Sequence, residues 1–165
     1  MSEGERSSYL LVVDTNVWLD LFIPGRPHAE QSREFFVLAA KKEANILYTM
    51  QTVNDVYAQV GFENKRWVRQ SGVELSEPFA RAIKETSWDC VSQMREVGTL
   101  VGADTSDLWL ACKYRPIHDD FEDNLLLAAC QRAKADYLIT NDVKLIRHAT
   151  VAALTPADMS KLLQL

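Results

Sequence analysis

The 165-residue sequence is poor in residues that break or cross-link a chain, with 6 Gly, 5 Pro and 3 Cys. So little Gly and Pro excludes a low-complexity linker and a collagen-like fibre. No apolar run approaches the roughly 18 residues of a membrane-spanning helix, and the N-terminus lacks the basic segment of a secretion signal. The sequence therefore predicts one soluble, cytoplasmic domain over residues 1–165, with residues 1–8 as a flexible tail.

Cysteine pairing and positive charge are also scarce. Cys90, Cys112 and Cys130 are odd in number, far apart and without metal-binding spacing, which favours buried thiols over a disulfide or a zinc site. The 18 Lys and Arg residues are outnumbered by 23 Asp and Glu residues, for a formal net charge of −5. This balance argues against nucleic-acid binding through a basic surface alone, but it leaves an acidic metal site open.

What the sequence does contain is an alternation of short apolar strands and amphipathic helices. The apolar run 9–13 ends at Asp14 and predicts a buried parallel strand. Further strands are predicted at 45–49, 137–140 and 151–154, and helices at 18–22, 28–42, 52–70, 78–98, 104–113, 120–134 and from Thr155-Pro156 onwards. This alternation predicts an α/β fold in which helices cover both faces of a short, mostly parallel sheet.

Acidic residues stand where predicted strands end and predicted helices begin. Asp14 directly follows the first strand, and Asp142 follows the strand at 137–140. Asp55 and Asp123 lie in the first turns of two helices. Each Asp alone could simply cap a helix, but the ordered set favours a functional site. Because the carboxyl ends of parallel strands meet at one edge of a sheet, we expect these four acids to converge there.

A cluster of this kind is costly without a counter-ion, since neighbouring carboxylates repel one another. Carboxylate oxygens without His or Cys at ligand spacing favour Mg²⁺ or Mn²⁺ over zinc or copper. A metal held in this way can activate water and neutralise charge that develops on a phosphoryl group. The pattern therefore predicts metal-assisted hydrolysis of phosphodiesters, with Asp14, Asp55, Asp123 and Asp142 as the catalytic acids.

Three segments, VVDTNVWLD, DDFEDNLLLAA and YLITNDVKLI, resemble the PIN domain family, and the resemblance covers nearly the whole chain. The ending LTPADMSKLL is similar to that of the prokaryotic branch that includes VapC-type toxins. The resemblance implies a three-layer α/β/α fold with three or four acids around Mg²⁺ or Mn²⁺. It also implies a ribonuclease whose products carry 5′-phosphate and 3′-hydroxyl ends. An antitoxin protein and a second copy of the chain are the partners it suggests besides RNA.

Matched motif by motif, the resemblance assigns metal binding to Asp14, Asp123 and Asp142. Polar neighbours in the Asp14 loop and the Asp142 turn would support these acids: Thr15, Asn16, Thr140 and Asn141.

Two positions leave alternatives open. The family usually has Glu where helix 52–70 offers Asp55, so either Asp55 ligates the metal, directly or through water, or the alignment is off by one turn. The middle motif contains Asp119, Asp120, Glu122 and Asp123. Asp123 is the favoured ligand, and Asp120, on the same helix face, is an auxiliary ligand or a group that supports one.

The other candidate residues have a structural interpretation beside the functional one. The histidines lack paired spacing and are expected outside the site: His28, His118 and His148. Two tryptophans on apolar faces are expected in the core, Trp18 and Trp67, while Trp88 and Trp109 stay open. A set of basic residues either forms a rim that binds RNA phosphates or is a solvated helix face: Lys65, Arg66, Arg69, Lys144 and Arg147.

Two other functions remain open. A hydrophobic strand followed by Asp-Thr-Asn-Val resembles the nucleophile loop of haloacid-dehalogenase-like phosphatases, but position 16 is Asn where that family has a second Asp. The Asp55 replacement also fits a degenerate PIN domain that binds RNA or a protein without cleavage. Metal binding and RNA cleavage would separate these alternatives.

Overall fold

The computed structural model describes residues 8–165, so almost all of the predicted tail at 1–8 lies outside the described residues. The strands are β1 (Leu10–Val13), β2 (Asn45–Thr49), β3 (Thr99–Val101), β4 (Tyr137–Ile139) and β5 (Ala153–Leu154). The helices are α1 (Thr15–Phe22), α2 (Ala29–Lys41), α3 (Met50–Gln70), α4 (Glu77–Val97), α5 (Thr105–Tyr114), α6 (Phe121–Ala133), α7 (Val143–His148) and α8 (Pro156–Leu163). The strands form one parallel sheet in the order β3-β2-β1-β4-β5.

The central strand β1 shows why helices cover both faces of the sheet. Its sequence is apolar throughout, and successive side chains of a strand point to opposite faces. Leu11 and Val13 belong to a buried cluster with residues of α1, α2, α3, α4 and α8, whereas Val12 belongs to a second cluster with residues of α5, α6 and α7. This arrangement confirms the predicted three-layer α/β/α fold.

The edge strand β3 and the short helix α7 were not predicted. Two of the three residues of β3 are exposed, so no buried apolar run marks this strand, and α7 has six residues, too few for a helical hydrophobic period to be visible. β3 begins directly after Gly98, where a Cβ would lie 2.8 Å from the carbonyl oxygen of Ile46 and 2.9 Å from its Cγ2. Only glycine therefore lets the end of α4 approach β2 this closely.

The structure also corrects two expectations about burial. Trp18 is fully buried, as predicted, but Trp67 is 66% exposed because it lies one position away from the inward-facing stripe of α3 that contains Val60 and Val68. Cys90 and Cys130 are buried as predicted, whereas Cys112 is exposed, and all three thiols are free. None of the helices within residues 8–165 combines the length and apolar composition that crossing a membrane requires.

Candidate active site

A cleft of about 560 Å³ opens at the carboxyl edge of the sheet. Its lining includes residues that directly follow β1, β2 and β3, and Asp142, which lies three residues after the end of β4. The central strand β1 has β2 on one side and β4 on the other, so successive connections leave the sheet in opposite directions at this point. Open parallel sheets form ligand-binding crevices at such points. The four predicted acids, Asp14, Asp55, Asp123 and Asp142, all line this cleft.

Asp14 is held on both carboxylate oxygens. As the N-cap of α1, its Oδ1 accepts a hydrogen bond of 2.6 Å from the backbone N–H of Thr15. Its Oδ2 accepts from Asn16 Nδ2 and from Thr140 Oγ1, both at 2.7 Å. Thr140 is fully buried and follows β4, so its hydroxyl joins the ends of two neighbouring strands. The carboxylate of Asp14 is therefore fixed before any ligand arrives.

The turn that carries Asp142 is anchored to the same loop. The backbone N–H of Asp142 donates to Thr140 Oγ1 at 3.0 Å, and the N–H of Asn141 donates to Asn16 Oδ1 at 3.0 Å. Oδ1 of Asp142 caps α7 by accepting from the backbone N–H groups of residues 144 and 145. Within residues 8–165, no hydrogen bond reaches Oδ2 of Asp142, so one oxygen of this acid stays available.

Asp20 ties this network to the loop after α1, and sequence analysis missed it. Its side chain is only 2% exposed; Oδ2 accepts from Asn141 Nδ2 at 2.9 Å, and Oδ1 pairs with Arg26 Nε at 2.6 Å. The available signal was an acid inside the apolar stretch 18–22, since a buried carboxylate needs partners.

His118 contacts Asp123, a contact that the sequence did not predict, although none of the described histidines lines the cleft. Its Nε2 lies 2.8 Å from Asp123 Oδ2, and its ring stacks on that of His148 with centroids 5.4 Å apart. The loop before α6 is fixed by bonds from the His118 N–H to the carbonyl of Tyr114 and from Asn124 Nδ2 to the carbonyl of His118. The prediction relied on spacing along the chain, whereas this loop brings the ring back to the helix. The remaining histidines are exposed.

Some of the other candidate acids in and before α3 and α6 line the cleft, and others do not. Asp55, in the second turn of α3, and Glu122, beside Asp123, both line the cleft. Asp120 is an exposed N-cap of α6 that accepts a 3.1 Å bond from the backbone N–H of Asp123, and it lies outside the lining. Asp119 is exposed and pairs with a surface arginine. Asp120 is thus positioned to hold the start of α6.

Burial raises the pKa of three acids in the cleft. Burial raises the pKa of Asp14 to about 6; hydrogen bonds such as that from Thr140 oppose the rise, and the charges of Asp123 and Asp142 add to it. Burial is also the main reason that the pKa values of Asp123 and Asp55 are raised. The charges of Asp14, Asp123 and Asp142 therefore act on one another across the cleft, and a bound cation would relieve their repulsion.

The side of the cleft formed by α5 and α6 is built differently. Asp104 caps α5 in a capping box with Asp107. Arg132 of α6 donates from Nε and Nη2 to Asp107 at 2.7 and 3.0 Å, and Nη2 also bonds a backbone carbonyl of the loop after β3. Leu108 and Phe121, 54% and 55% exposed, line this side. The ion pair cross-links the two helices beneath an apolar rim.

The basic residues predicted to contact RNA do not line the cleft. All five are exposed: Lys65, Arg66, Arg69, Lys144 and Arg147. Lys65 lies ten residues beyond Asp55 on α3, about 15 Å along the helix axis. The cations that do line the cleft are Arg26 and Arg132, each paired with a buried aspartate.

The donor set fits Mg²⁺ or Mn²⁺ in chemistry. Asp14, Asp123 and Asp142 present hard carboxylate oxygens to one cleft, and their mutual repulsion favours a divalent cation. Within residues 8–165, no group of three or more His, Cys, Asp and Glu side chains is arranged to hold a metal ion as it stands. Coordination would therefore require side chains to move from the positions described.

Sequence and structure comparisons place this cleft in a family. The family model for the PIN domain matches residues 10–144, which include Asp14, Asp55, Asp123 and Asp142. The chain belongs to the PIN domain family. Members of this family are generally nucleases. The match includes the Asp14 loop, on which the haloacid-dehalogenase-like alternative depended, and assigns it to the PIN fold instead.

Solved structures of other PIN-fold chains resemble this one at low sequence identity. A chain of VapBC2 from Rickettsia felis, bound to a DNA fragment from its promoter, is 13% identical (TM-score 0.60, 88% of this chain and 97% of that chain). A chain of FitAB bound to the IR36 DNA fragment is 16% identical (TM-score 0.62, 90% and 96%). PAE2754 from Pyrobaculum aerophilum is 12% identical (TM-score 0.55, 99% and 96%). A sequence comparison with curated proteins gave no match.

Proposed function

We propose that this PIN domain protein is a ribonuclease that depends on Mg²⁺ or Mn²⁺ and hydrolyses phosphodiester bonds. The observation that carries the proposal is the convergence of Asp14, Asp123 and Asp142 on one cleft, where burial and mutual repulsion raise the pKa of Asp14 to about 6. Membership of a family of nucleases supports the same conclusion.

In this proposal, Asp14, Asp123 and Asp142 hold the metal, and Asp55 completes the acidic set. A bound divalent cation supplies an activated water and neutralises charge on the phosphoryl group. Thr140 fixes the Asp14 carboxylate through its 2.7 Å bond, and His118 does the same for Asp123 through its 2.8 Å contact. Supporting contacts of this kind orient metal ligands. Asp120 acts through the start of α6, since it caps that helix.

The apolar parts of the cleft suit a polynucleotide better than a small phosphate ester. Met50, Leu108 and Phe121 are each more than half exposed and line the cleft beside its acids. Bases present flat apolar faces that pack on such side chains, while phosphates approach the charged centre. An exposed apolar rim next to a carboxylate cluster therefore supports a single-stranded nucleic acid as the substrate.

The decisive experiment compares the wild-type protein with the Asp14→Asn variant on labelled single-stranded RNA. We expect cleavage with Mg²⁺ or Mn²⁺, none in EDTA, and a decrease of more than about 100-fold in the variant, because loss of even a residue that only supports a ligand costs 10- to 100-fold. Products with 5′-phosphate and 3′-hydroxyl ends are expected. Unchanged cleavage by the Asn variant would refute the mechanism.

A second candidate is a PIN domain that binds RNA or a protein without cleavage. It is favoured by the absence, within residues 8–165, of side chains already arranged around a metal position, and by Asp55 where the family usually has Glu. Calorimetry that detects no binding of Mg²⁺ or Mn²⁺, together with retained RNA affinity, would select this candidate.

We also propose an antitoxin partner. The support is the resemblance to VapC-type toxins and the similarity of the fold to chains of VapBC2 and FitAB. A partner could neutralise the cleft by inserting a basic side chain among its acids. Overexpression that is harmless to a bacterial host, and purification that recovers no bound partner, would contradict this assignment. Formation of a homodimer and a cytoplasmic location remain predictions, which light scattering and cell fractionation would test.

A further inference from the structure

The two arginines that line the cleft differ in how many of their donors the protein uses. Arg132 donates from Nε and Nη2 to Asp107 and from Nη2 to a backbone carbonyl. Arg26 donates only from Nε, to Asp20 at 2.6 Å. Within residues 8–165, nothing accepts a hydrogen bond from either Nη atom of Arg26. Arg26 therefore retains the outer half of its guanidinium for a ligand.

The position of Arg26 is fixed from the protein side. Its partner Asp20 is 2% exposed, and a buried carboxylate that lost its cation would be left uncompensated, so the pair is strongly held. Asp20 also accepts from Asn141 Nδ2 at 2.9 Å, and Asn141 directly precedes Asp142. The buried Asp20 thus fixes the position of the Arg26 guanidinium and also that of the turn that carries Asp142.

The positive charge of Arg26 complements the negatively charged phosphates of the proposed RNA substrate. The cleft is lined by several carboxylates, which repel a polyanion, and the basic residues predicted to bind RNA lie outside it. A planar guanidinium with free Nη donors matches the oxygens of a phosphate, and a side chain held in advance loses little entropy when it binds. The side chain of Arg26 is 32% exposed, so a strand in the cleft can reach it.

We propose that Arg26 binds a phosphate of the RNA strand beside the acidic centre, and that Asp20 positions it there. This inference rests on the proposed function in assuming that the cleft receives RNA. It assigns Arg26 a contact with substrate and gives Asp20 a positioning role.

The test measures RNA affinity under conditions in which cleavage cannot occur. The probe is a fluorescein-labelled 12-nucleotide single-stranded RNA, titrated in EDTA and read by fluorescence anisotropy between 25 and 150 mM KCl. We expect Arg26→Gln to weaken binding about ten-fold, the value of one charge-assisted contact. The slope of log affinity against log salt should become shallower by about 0.7, the contribution of one phosphate contact on a single strand.

Two further variants separate binding from folding. Arg81→Gln removes an exposed arginine that pairs with Glu77 at the start of α4, away from the cleft, and should change neither affinity nor slope by more than the error. Arg26→Lys keeps the charge but cannot both pair with Asp20 and present two outer donors. We therefore expect it to keep the wild-type slope while losing several-fold in affinity, even if Arg26→Gln folds poorly.

The outcomes distinguish this inference from the proposed function. If Arg26→Gln lowers the melting temperature but leaves the salt slope unchanged, or if Arg26→Lys equals wild type in affinity, Arg26 is structural and the inference fails. If wild-type protein never cleaves RNA but the affinity and slope change as expected in Arg26→Gln, the phosphate contact stands and the nuclease proposal fails.

Discussion

The two sides of the cleft use acidic residues in opposite ways. The strand-end side consists of three residues that follow β1 and β4, Asp14, Asn16 and Asp142, and the buried Thr140 is hydrogen-bonded to all three. The helical side consists of residues of α5, α6 and the loop before α5: Asp104, Asp107, Leu108, Phe121 and Arg132. Asp123, at the start of α6, is grouped with the strand-end acids because its charge acts on Asp14. On the helical side, Asp107 has a full cationic partner in Arg132 and Asp104 caps a helix. On the strand-end side, the donors to Asp14 among residues 8–165 are all neutral, and burial raises its pKa to about 6.

This difference indicates what each side contributes. An aspartate paired with a cation stabilises the fold, whereas an aspartate held in place by neutral donors alone keeps a negative charge that a cation can bind. Neutral donors such as Thr140 and Asn16 fix the geometry of Asp14 without cancelling its charge. The strand-end side, together with Asp123 at the start of α6, therefore provides the acids of the proposed site, and the rest of the helical side provides the rigid support and the apolar rim.

The largest effect expected from this difference between the two sides is on the pH dependence of the unfolding free energy in the absence of metal. The folded pKa of Asp14 is raised from 3.8 to about 6, so the stability associated with its protonated form is complete below about pH 3.8 and is lost as pH rises through 6. This difference corresponds to about 3 kcal/mol. Between pH 4 and pH 7 in EDTA, wild-type protein should lose about that much unfolding free energy relative to Asp14→Asn, as measured by urea unfolding.

Magnesium provides the control for that measurement. Because a bound cation replaces the proton as the compensating charge, added Mg²⁺ should restore stability at pH 7 to wild-type protein and much less to Asp14→Asn. If the unfolding free energies of the two proteins in EDTA changed with pH in parallel, the raised pKa would not belong to Asp14.

The next largest effect is expected on the helical side. Asp107→Asn leaves Arg132 without its counter-charge and removes the link between α5 and α6. We expect a loss of about 2 kcal/mol in unfolding free energy at pH 7, below the cost of a fully buried broken pair because the Arg132 side chain is 29% exposed. The exposed pair Asp119–Arg115 offers the matched control, since Asp119→Asn should cost under about 0.5 kcal/mol. Equal losses in the two variants would remove the distinction between the sides.

The smallest of the three effects concerns the buried hydroxyl that joins β1 and β4. Thr140→Val removes the donor to Asp14 Oδ2 and the acceptor for the Asp142 N–H while keeping the size of the side chain. Affinity for Mn²⁺, measured by calorimetry, should fall about ten-fold, the lower end of the cost of losing a contact that orients a metal ligand. Thr140→Ser keeps the hydroxyl and should bind Mn²⁺ nearly as wild type does. A Val variant with unchanged affinity would mean that Asp14 needs no help from Thr140.

The sequence revealed the elements of the site that follow from periodicity and strand ends. Asp14 and Asp142 were identified because each follows an apolar run. The strand β2 has the predicted bounds because its own apolar residues lie between the polar residues Asn45 and Thr49. Asp55 and Asp123 were identified because the helical pattern places each of them in an early turn of its helix. Their convergence followed from the rule that parallel strands share one carboxyl edge.

Residues on loops, and those fixed by contacts distant in sequence, could not be predicted in this way. Arg26 lies in the break between α1 and α2, where the residues 24–27 signal only a turn, and its partner Asp20 is defined by a side chain 121 residues away, that of Asn141. His118 reaches Asp123 through a loop that no period describes. Trp67 shows the limit of periodicity itself, since one position along a helix turns a side chain by about 100°.

The missing side chain at Gly98 controls the distance between the two outermost strands on one half of the sheet. A methyl group there would collide with the backbone of Ile46, forcing β3 outward. The residues that follow β3 lead into α5, so we expect Asp104, Asp107 and Leu108 to shift with the strand. The width of the cleft would thus depend on the absence of a side chain at the amino end of β3.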